Sequence, residues 1–191
     1  MEALMGIFSA FGLSASAGLN AYIPLLVVAL LARFTNLVKL NPPWDTLTNE
    51  WVIGTLVVLL LIEIFTDKVP AVNHVNDALQ TFIRPASGAI VFAASAGIFG
   101  DMHPVVAIIA GLLVAGGVHA AKSLAVRPVV TATTGGAGNV PVSIMEDVIS
   151  TTLSILSAVI PILVAMFVVL FTSWIIWLLW RRANRMSSAS S

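Results

Sequence analysis

The segment Glu63-Ile-Phe-Thr-Asp-Lys-Val-Pro70 decides how this sequence can fold, because it places two carboxylates and a lysine at the end of an apolar run. Residues 57–62 are exclusively Val, Leu and Ile. Ionisable side chains in such surroundings are costly in lipid and usually mark an ion or substrate path. We therefore expect Glu63 either to pair with Lys68, Lys122 or Arg127, or to carry a proton.

The residues after Pro70 follow a helical period. Polar residues recur on one face and apolar residues on the other, namely Asn73, Asp77, Gln80 and Arg84 against Val72, Val75, Leu79 and Phe82. Proline is tolerated in the first turn of a helix, where its missing N–H costs little. This pattern predicts an amphipathic helix that begins near Pro70 and lies at the membrane interface or lines a wet cavity.

The composition is that of an integral membrane protein. Of 191 residues, 59% are hydrophobic and 9% are charged, and the mean hydropathy is +1.02, whereas soluble domains carry about 25% charged residues. Nine basic and nine acidic residues cancel, which argues against a nucleic-acid partner. The absence of cysteine excludes disulfides, thiolate metal sites and cysteine nucleophiles. The first residues lack the basic region of a secretory signal, so we expect a mature helix there.

The first apolar run, residues 7–34, is interrupted by Asn20, Tyr22 and Pro24. Either it is one kinked spanning helix with small residues at a packing face, or it is a broken helix whose freed backbone groups and Asn20 face a substrate path. Further spans are expected over residues 51–66, 86–100 and 105–121. The span over residues 86–100 is short for a full crossing but can continue from the helix that contains Phe82. The span over residues 105–121 contains a glycine face formed by Gly111, Gly116 and Gly117.

The last apolar helix is expected to start with a capping box at Ser143 and Glu146 and to reach Trp180, so Pro161 must kink or divide it. The predicted fold is an all-α, polytopic transmembrane helical bundle of five to six spans. Its first and last helices are proline-broken, and one amphipathic helix is interfacial. We expect a single transmembrane domain over residues 1–185 and a disordered tail over residues 186–191.

A second polar insertion runs from Lys122 to Pro141 and contains the glycine-rich stretch 131–139, which we expect to be non-helical. Such a loop before a helix can bind an anion on backbone amides, but it lacks the Gly-Lys-Ser/Thr ending of a nucleotide-binding P-loop. If the intervening spans form a hairpin, both polar insertions converge on one cavity. The predicted substrate-binding residues are Asn20, Tyr22, Glu63, Asp67, Lys68, Asn73, His74, Asp77, Arg84, His119, Lys122, Arg127, Thr134 and Asn139.

Neither a catalytic arrangement nor a metal or cofactor motif is present in the sequence, so we do not expect an enzyme. The histidines lack metal-site spacing. Basic residues near the span ends favour a cytoplasmic C-terminus and leave the number of spans open. Small-residue faces predict a homo-oligomer in a lipid environment.

Three segments resemble the signature of a family of small bacterial membrane proteins, domain of unknown function 4126. They are Ser16-Ala-Gly-Leu-Asn-Ala-Tyr-Ile-Pro24, Asp67-Lys-Val-Pro-Ala-Val-Asn-His-Val-Asn-Asp77 and Phe82-Ile-Arg-Pro85. The resemblance implies a multi-pass protein of the bacterial inner (cytoplasmic) membrane and implies no activity.

Two functions remain open from the sequence. The first is a transporter or channel-like protein for a small polar or anionic substrate, a lipid headgroup included, because basic residues would lie at headgroup depth. The alternative is a scaffold or assembly factor that does not transport and whose buried charges are structural salt bridges.

Overall fold

The computed structural model describes residues 2–68, 70–99 and 102–161, together with positions 166, 170, 173, 174, 177 and 181. The described residues form seven α-helices, which are α1 (Glu2–Leu19), α2 (Ile23–Phe34), α3 (Glu50–Lys68), α4 (Pro70–Phe99), α5 (Pro104–Ala121), α6 (Arg127–Thr134) and α7 (Asn139–Val159). A short 3₁₀ helix, Trp44–Thr48, precedes α3, and a π-helical stretch, Lys122–Val126, joins α5 to α6. This part of the chain contains no β-strand, which confirms the all-α prediction there.

Within the part of the chain that the structure describes, two helical segments are long and apolar enough to cross a membrane. One is Pro104–Thr134, which includes α5, the π-helical stretch and α6, and the other is α7. The segments Met5–Leu19 and Ile23–Phe34 are apolar but shorter. The larger number of spans inferred from the sequence therefore stays a prediction. The predicted tail, residues 186–191, lies outside the described residues.

The first apolar run is broken rather than kinked, because α1 ends at Leu19 and α2 begins at Ile23. The Asn20 side chain occupies the gap. Its Oδ1 accepts hydrogen bonds from the backbone amides of Tyr22 and Ile23, both at 3.1 Å. These are amides that the start of a helix leaves without intrahelical partners, so Asn20 stabilises the break in the manner of an N-cap residue.

The amphipathic helix predicted after Pro70 is part of a longer one. α4 runs for 30 residues straight through Pro85, so the span predicted from Ala86 continues from the helix that contains Phe82 and is not a separate helix. Its polar side chains Asn76, Gln80 and Arg84 are buried, whereas Leu79 and Phe82 are exposed. The helix therefore turns its polar face inwards, the reverse of what a helix does on a water-soluble protein.

Small residues allow α1, α4 and α5 to pack closely. A methyl group on Gly111 would lie 2.4 Å from the carbonyl oxygen of Gly88, so only glycine fits at this crossing of α4 and α5. Ser14 of α1 donates a hydrogen bond to the Gly111 carbonyl at 2.9 Å. Gly117 of the predicted glycine face borders open space. Because the close contacts lie within one chain, they do not argue for an oligomer.

The glycine-rich stretch is more helical than the sequence predicted. α6 extends to Thr134, and the non-helical turn is limited to residues 135–138, where Gly135 and Gly136 adopt φ angles of 63° and 92°. Glycine reaches these angles without steric cost. α7 therefore starts at Asn139, and the capping box predicted at Ser143 and Glu146 is wrong.

The far end of α7 confirms a division near Pro161. The helix ends at Val159, and Ile160 leaves the helical region with φ −136° and ψ 66°. Beyond this point, the described Trp174 and Trp177 are exposed, and the Arg181 guanidinium lies 5.1 Å from the Trp177 ring centroid. Trp180 lies outside the described residues.

Candidate functional site

The centre of the site is a buried ion pair between α3 and α4. Arg84 donates from Nη2 to Glu63 Oε1 at 2.9 Å and from Nε to the same oxygen at 3.3 Å. The partner of Glu63 is thus Arg84, and not Lys68, Lys122 or Arg127 as the sequence analysis expected. The planar guanidinium of Arg84 also reaches Asp67 Oδ2 at 3.4 Å, so one side chain contacts both carboxylates of α3.

The ion pairs continue from the first polar insertion into the second. Asp67 Oδ2 also contacts Arg127 Nη2 at 3.4 Å, and Asn76 donates to Asp67 Oδ1 at 2.6 Å. Arg127 lies 3.7 Å from Glu146 Oε2, and Lys122 Nζ lies 2.6 Å from the same oxygen. The two insertions therefore meet in one structure, which we call the charge network. It consists of Glu63, Asp67, Lys68, Arg84, Lys122, Arg127, Glu146 and Asp147.

The break between α1 and α2 belongs to the same site. The Ala21 amide donates to Glu63 Oε2 at 3.2 Å, and Lys122 Nζ donates to the Leu19 carbonyl at 3.2 Å. Asn20 Nδ2 donates to Asp147 Oδ1 at 2.9 Å. Backbone groups released by the break are thus satisfied by buried charges of both signs, as buried backbone groups require.

The π-helical stretch explains how Lys122 and Arg127 reach the network together. In an α-helix of 3.6 residues per turn, side chains five positions apart point in different directions. Here the Arg127 amide donates to the Lys122 carbonyl, the i to i+5 bond of a π-turn, and both side chains are buried. Such π-turns are frequent at functional sites. No feature of the sequence had indicated this one.

His119 is buried beside the central ion pair. Its Nδ1 lies 3.4 Å from Arg84 Nη1, and its Nε2 lies 3.2 Å from Thr81 Oγ1. Among the described residues, no three His, Asp or Glu side chains are grouped as metal ligands. His103 instead caps α5, where its Nδ1 accepts from the Val105 amide at 3.3 Å.

The network becomes more deeply buried from one edge to the other. The Lys68 and Asp147 side chains, 3.5 Å apart, are 29% and 18% exposed. Arg127 and Glu146 are 9% and 10% exposed, and Glu63 and Arg84 are 1% and 0% exposed. The site therefore has an accessible edge at Lys68 and Asp147 and a closed floor at Glu63 and Arg84.

The structure gathers most of the predicted site residues and leaves some apart. Those in or against the network are Asn20, Glu63, Asp67, Lys68, Arg84, His119, Lys122 and Arg127, and Tyr22 is buried next to Asn20 and Ala21. Thr134 and Asn139 flank the α6–α7 turn, and Thr134 is about 10 Å along α6 from Arg127. Thr134 Oγ1 accepts from the Gly138 amide, and Asn139 Nδ2 donates to Thr131 Oγ1. The side chains of Asn73, His74 and Asp77 lie outside the described residues.

The role of Glu146 in the site was not predicted, because its spacing from Ser143 matches a capping box. A usable signal was the spacing of Ser143, Glu146, Ser150, Ser154 and Ser157, because these positions share one face of a helix. The structure buries all five.

Comparison with known proteins places the chain in a family. Residues 7–181, most of its length, match the family described as "Domain of unknown function (DUF4126)". The chain belongs to this family. The matched range contains the whole charge network of the DUF4126 protein. Two other comparisons, with curated proteins and with solved structures, found no match. The family description names no activity, so the function must be argued from the site.

Proposed function

We propose that this DUF4126 protein is a multi-pass membrane protein that transports a small polar or anionic solute through the charge network. The observation that carries the proposal is the meeting of buried charges with a break in the first helix, where Glu63 binds the Ala21 amide and Lys122 binds the Leu19 carbonyl. Broken helices with freed backbone groups recur at the substrate sites of secondary transporters.

The surface of α3 is consistent with α3 being a further membrane-spanning helix, beyond the two segments that length and composition identify. α3 has 19 residues, or about 28 Å of helix, close to the ~30 Å hydrocarbon thickness of a bilayer. Its charges Glu63 and Asp67 are turned inwards, whereas its outward face consists of exposed apolar side chains, namely Val57, Val58, Leu61, Ile62 and Phe65. An apolar exterior around a charged interior suits a lipid surrounding.

The cations of the network supply the chemistry for an anion. Lys122 and Arg127 both contact the Glu146 carboxylate, so a carboxylate or phosphate group of a solute can replace it on the same two cations. The Lys68–Asp147 edge is the accessible side from which such a solute would arrive.

Flux into proteoliposomes tests this function. The solutes are inorganic phosphate, sulfate, lactate and succinate, and a fluorescent anionic phospholipid covers the lipid-headgroup case. We expect wild-type protein to move at least one of them above empty liposomes, and Glu63→Gln to lower that flux about tenfold or more, as expected for removal of a buried charged contact. Glu50→Gln, on the exposed start of the same helix, should retain it. Equal fluxes for wild type, Glu63→Gln and Lys68→Ala with every solute would contradict the proposal.

A scaffold is the second candidate, and the balance of charge favours it. The carboxylates of Glu63, Asp67, Glu146 and Asp147 are matched by the cations of Lys68, Arg84, Lys122 and Arg127. Removing one member of a buried pair is strongly destabilising, whereas replacing both by apolar groups is often neutral.

The scaffold predicts a purely structural response. Glu63→Gln should lower the thermal midpoint in detergent, and the double variant Glu63→Gln/Arg84→Met should restore much of it. Wild-type protein should then show no flux with any solute. A transported solute whose flux depends on Glu63 would exclude the scaffold as the main function.

A further inference from the structure

The buried face of α7 is entirely polar. Its buried residues are Ser143, Glu146, Ser150, Ser154 and Ser157, whereas Val148 and Ile155 on other faces of the same helix are exposed. A packing face in a helical membrane protein needs small side chains, and alanine or glycine meets that need without a polar atom. Close packing alone therefore does not explain why this face carries hydroxyl groups.

The polar face of α7 lies against α1. Ser16 Oγ is 2.7 Å from Ser150 Oγ and 2.6 Å from Ser154 Oγ, and Ser150 Oγ donates to the Ser16 carbonyl at 3.2 Å. These three side chains are fully buried. We call this contact, with Ser143 and Ser157 at its ends, the serine seam.

Two hydroxyl groups at the ends of the serine seam have no partner among the described residues. Ser143 Oγ and Ser157 Oγ are buried and make no hydrogen bond to that part of the chain. A buried hydroxyl without a partner carries a desolvation cost, which a bound hydrogen-bonding molecule removes. Ala158, the neighbour of Ser157, lines a cavity of about 10 Å³ with Ser9, Ser95 and the apolar residues Leu13, Val28, Leu37 and Val38. This volume is about the space that one water requires.

We propose that the serine seam is the solute track of the protein, a hydrated route that carries water and a small hydrogen-bonding solute between the charge network and the opposite end of the bundle. The inference rests on the proposed transport function, because Glu146 belongs both to the network and to this face of α7. From Ser143 to Ser157 the face is about 21 Å long, some two thirds of a bilayer core of ~30 Å.

The chemistry of the seam suits a passage rather than a binding site. Hydroxyl groups donate and accept hydrogen bonds but carry no charge, so they can replace the hydration of a solute without holding it. A seam that opens exchanges hydroxyl–hydroxyl for hydroxyl–water bonds, which changes little in net hydrogen bonding. α7 is also bounded by backbone breaks, at Gly135–Gly136 and at Ile160, so it can shift as a unit.

Single cysteines test the track directly, because the natural chain contains none. The variants Ser150→Cys, Ser154→Cys and Ser157→Cys, in the full-length protein in liposomes, are exposed to a small hydrophilic methanethiosulfonate reagent. The reagent requires a thiolate, which forms in water and not in lipid or a dry core. We expect these variants to react at least about tenfold faster than two controls, because a thiolate needs a wet environment. The controls are Ile155→Cys on the exposed apolar face of α7 and Val91→Cys in the apolar core.

The outcome separates the track from the transport function. Reaction of two or more seam variants no faster than Val91→Cys overturns the track, even where the flux assay finds a transported solute. If the seam cysteines react fast but no solute shows flux, the hydrated track is supported and the proposed transport function is contradicted. Serine to cysteine changes one atom, and a monodisperse elution profile verifies folding. Ser143→Cys replaces any variant that fails that check.

Discussion

Lys122 binds two groups that come from distant parts of the chain, the Glu146 carboxylate at 2.6 Å and the Leu19 carbonyl at 3.2 Å. Its side chain is almost fully buried, whereas the ion pair of Arg33 with Glu50 lies at the surface. The Lys122–Glu146 and Arg33–Glu50 ion pairs are both short contacts, but removing one partner has different consequences in each. A surface charge returns to water, and a buried one stays without compensation.

Removing the Lys122 charge should therefore destabilise the protein strongly. We expect Lys122→Met to lower the free energy of unfolding by about 3–5 kcal/mol, because the buried Glu146 carboxylate loses its shortest ion pair and keeps only the 3.7 Å contact with Arg127. Thermal unfolding in detergent measures the effect. The matched control Arg33→Met should cost less than about 1 kcal/mol. If Lys122→Met lowers the free energy of unfolding as little as the control does, the ion pair contributes little to stability. If the decrease is large, the double variant Lys122→Met/Glu146→Gln should recover part of it.

The Asn20 side chain serves a backbone role as well as a polar one. It accepts from the Tyr22 and Ile23 amides and donates to Asp147. We expect Asn20→Ala to cost about 1–2 kcal/mol, as loss of an N-cap does. Asn20→Asp should keep the cap but replaces the bond to Asp147 with a repulsive contact between two carboxylates. Thermal midpoints in detergent compare the two variants. Equal midpoints for Asn20→Ala and wild type would show that the break needs no cap.

At the scale of elements, the contact between α4 and α5 depends on backbone proximity. A side chain on Gly111 would press on the Gly88 carbonyl and on Ala89 and Phe92 of α4. We expect Gly111→Ala to lower the free energy of unfolding by about 1–3 kcal/mol through overpacking. Gly117→Ala on the same helix meets open space and should be neutral or stabilising by up to ~1 kcal/mol, since alanine favours helix. Similar thermal midpoints for both variants would contradict the close crossing.

At the scale of the whole molecule, the charge network lies at one end of the bundle. Glu63 is 13 residues beyond Glu50 on α3, about 20 Å of helix, so the 3₁₀ helix at Trp44–Thr48 and the α6–α7 turn belong to opposite ends. A solvent-open groove of about 560 Å³ at the 3₁₀ end is lined by Arg33, Thr48 and Glu50 among others. If the bundle spans a membrane, these ends face opposite compartments.

Site-directed labelling checks this arrangement. The variants Thr46→Cys and Ala137→Cys place single thiols at exposed positions of the two ends. We expect a membrane-impermeant maleimide to label one variant in right-side-out vesicles and the other in inside-out vesicles, because a charged reagent does not cross lipid. Labelling of both variants from the same side would contradict a bundle that crosses the membrane between them.

Sequence reasoning performed best where local pattern decides the structure. The helical period after Pro70, the interruption around Asn20 and the stop near Pro161 all depend on neighbouring residues, and all are present. It performed worst where distant residues compete. The capping box at Ser143 and Glu146 has the right local spacing, but α7 already begins at Asn139, so Ser143 lies inside the helix, and Glu146 pairs with Lys122.

Composition and periodicity were enough to predict a helical, largely apolar chain and to identify the few residues that carry charge, because neither depends on which helices touch. Which charged side chains pair with each other depends on the packing of the helices. Glu63 and Arg84 are 21 residues apart, and Ser16 and Ser150 are 134 apart. Such pairs follow from how helices cross and from where a π-turn rotates Lys122 and Arg127 inwards, and no spacing along the chain encodes either.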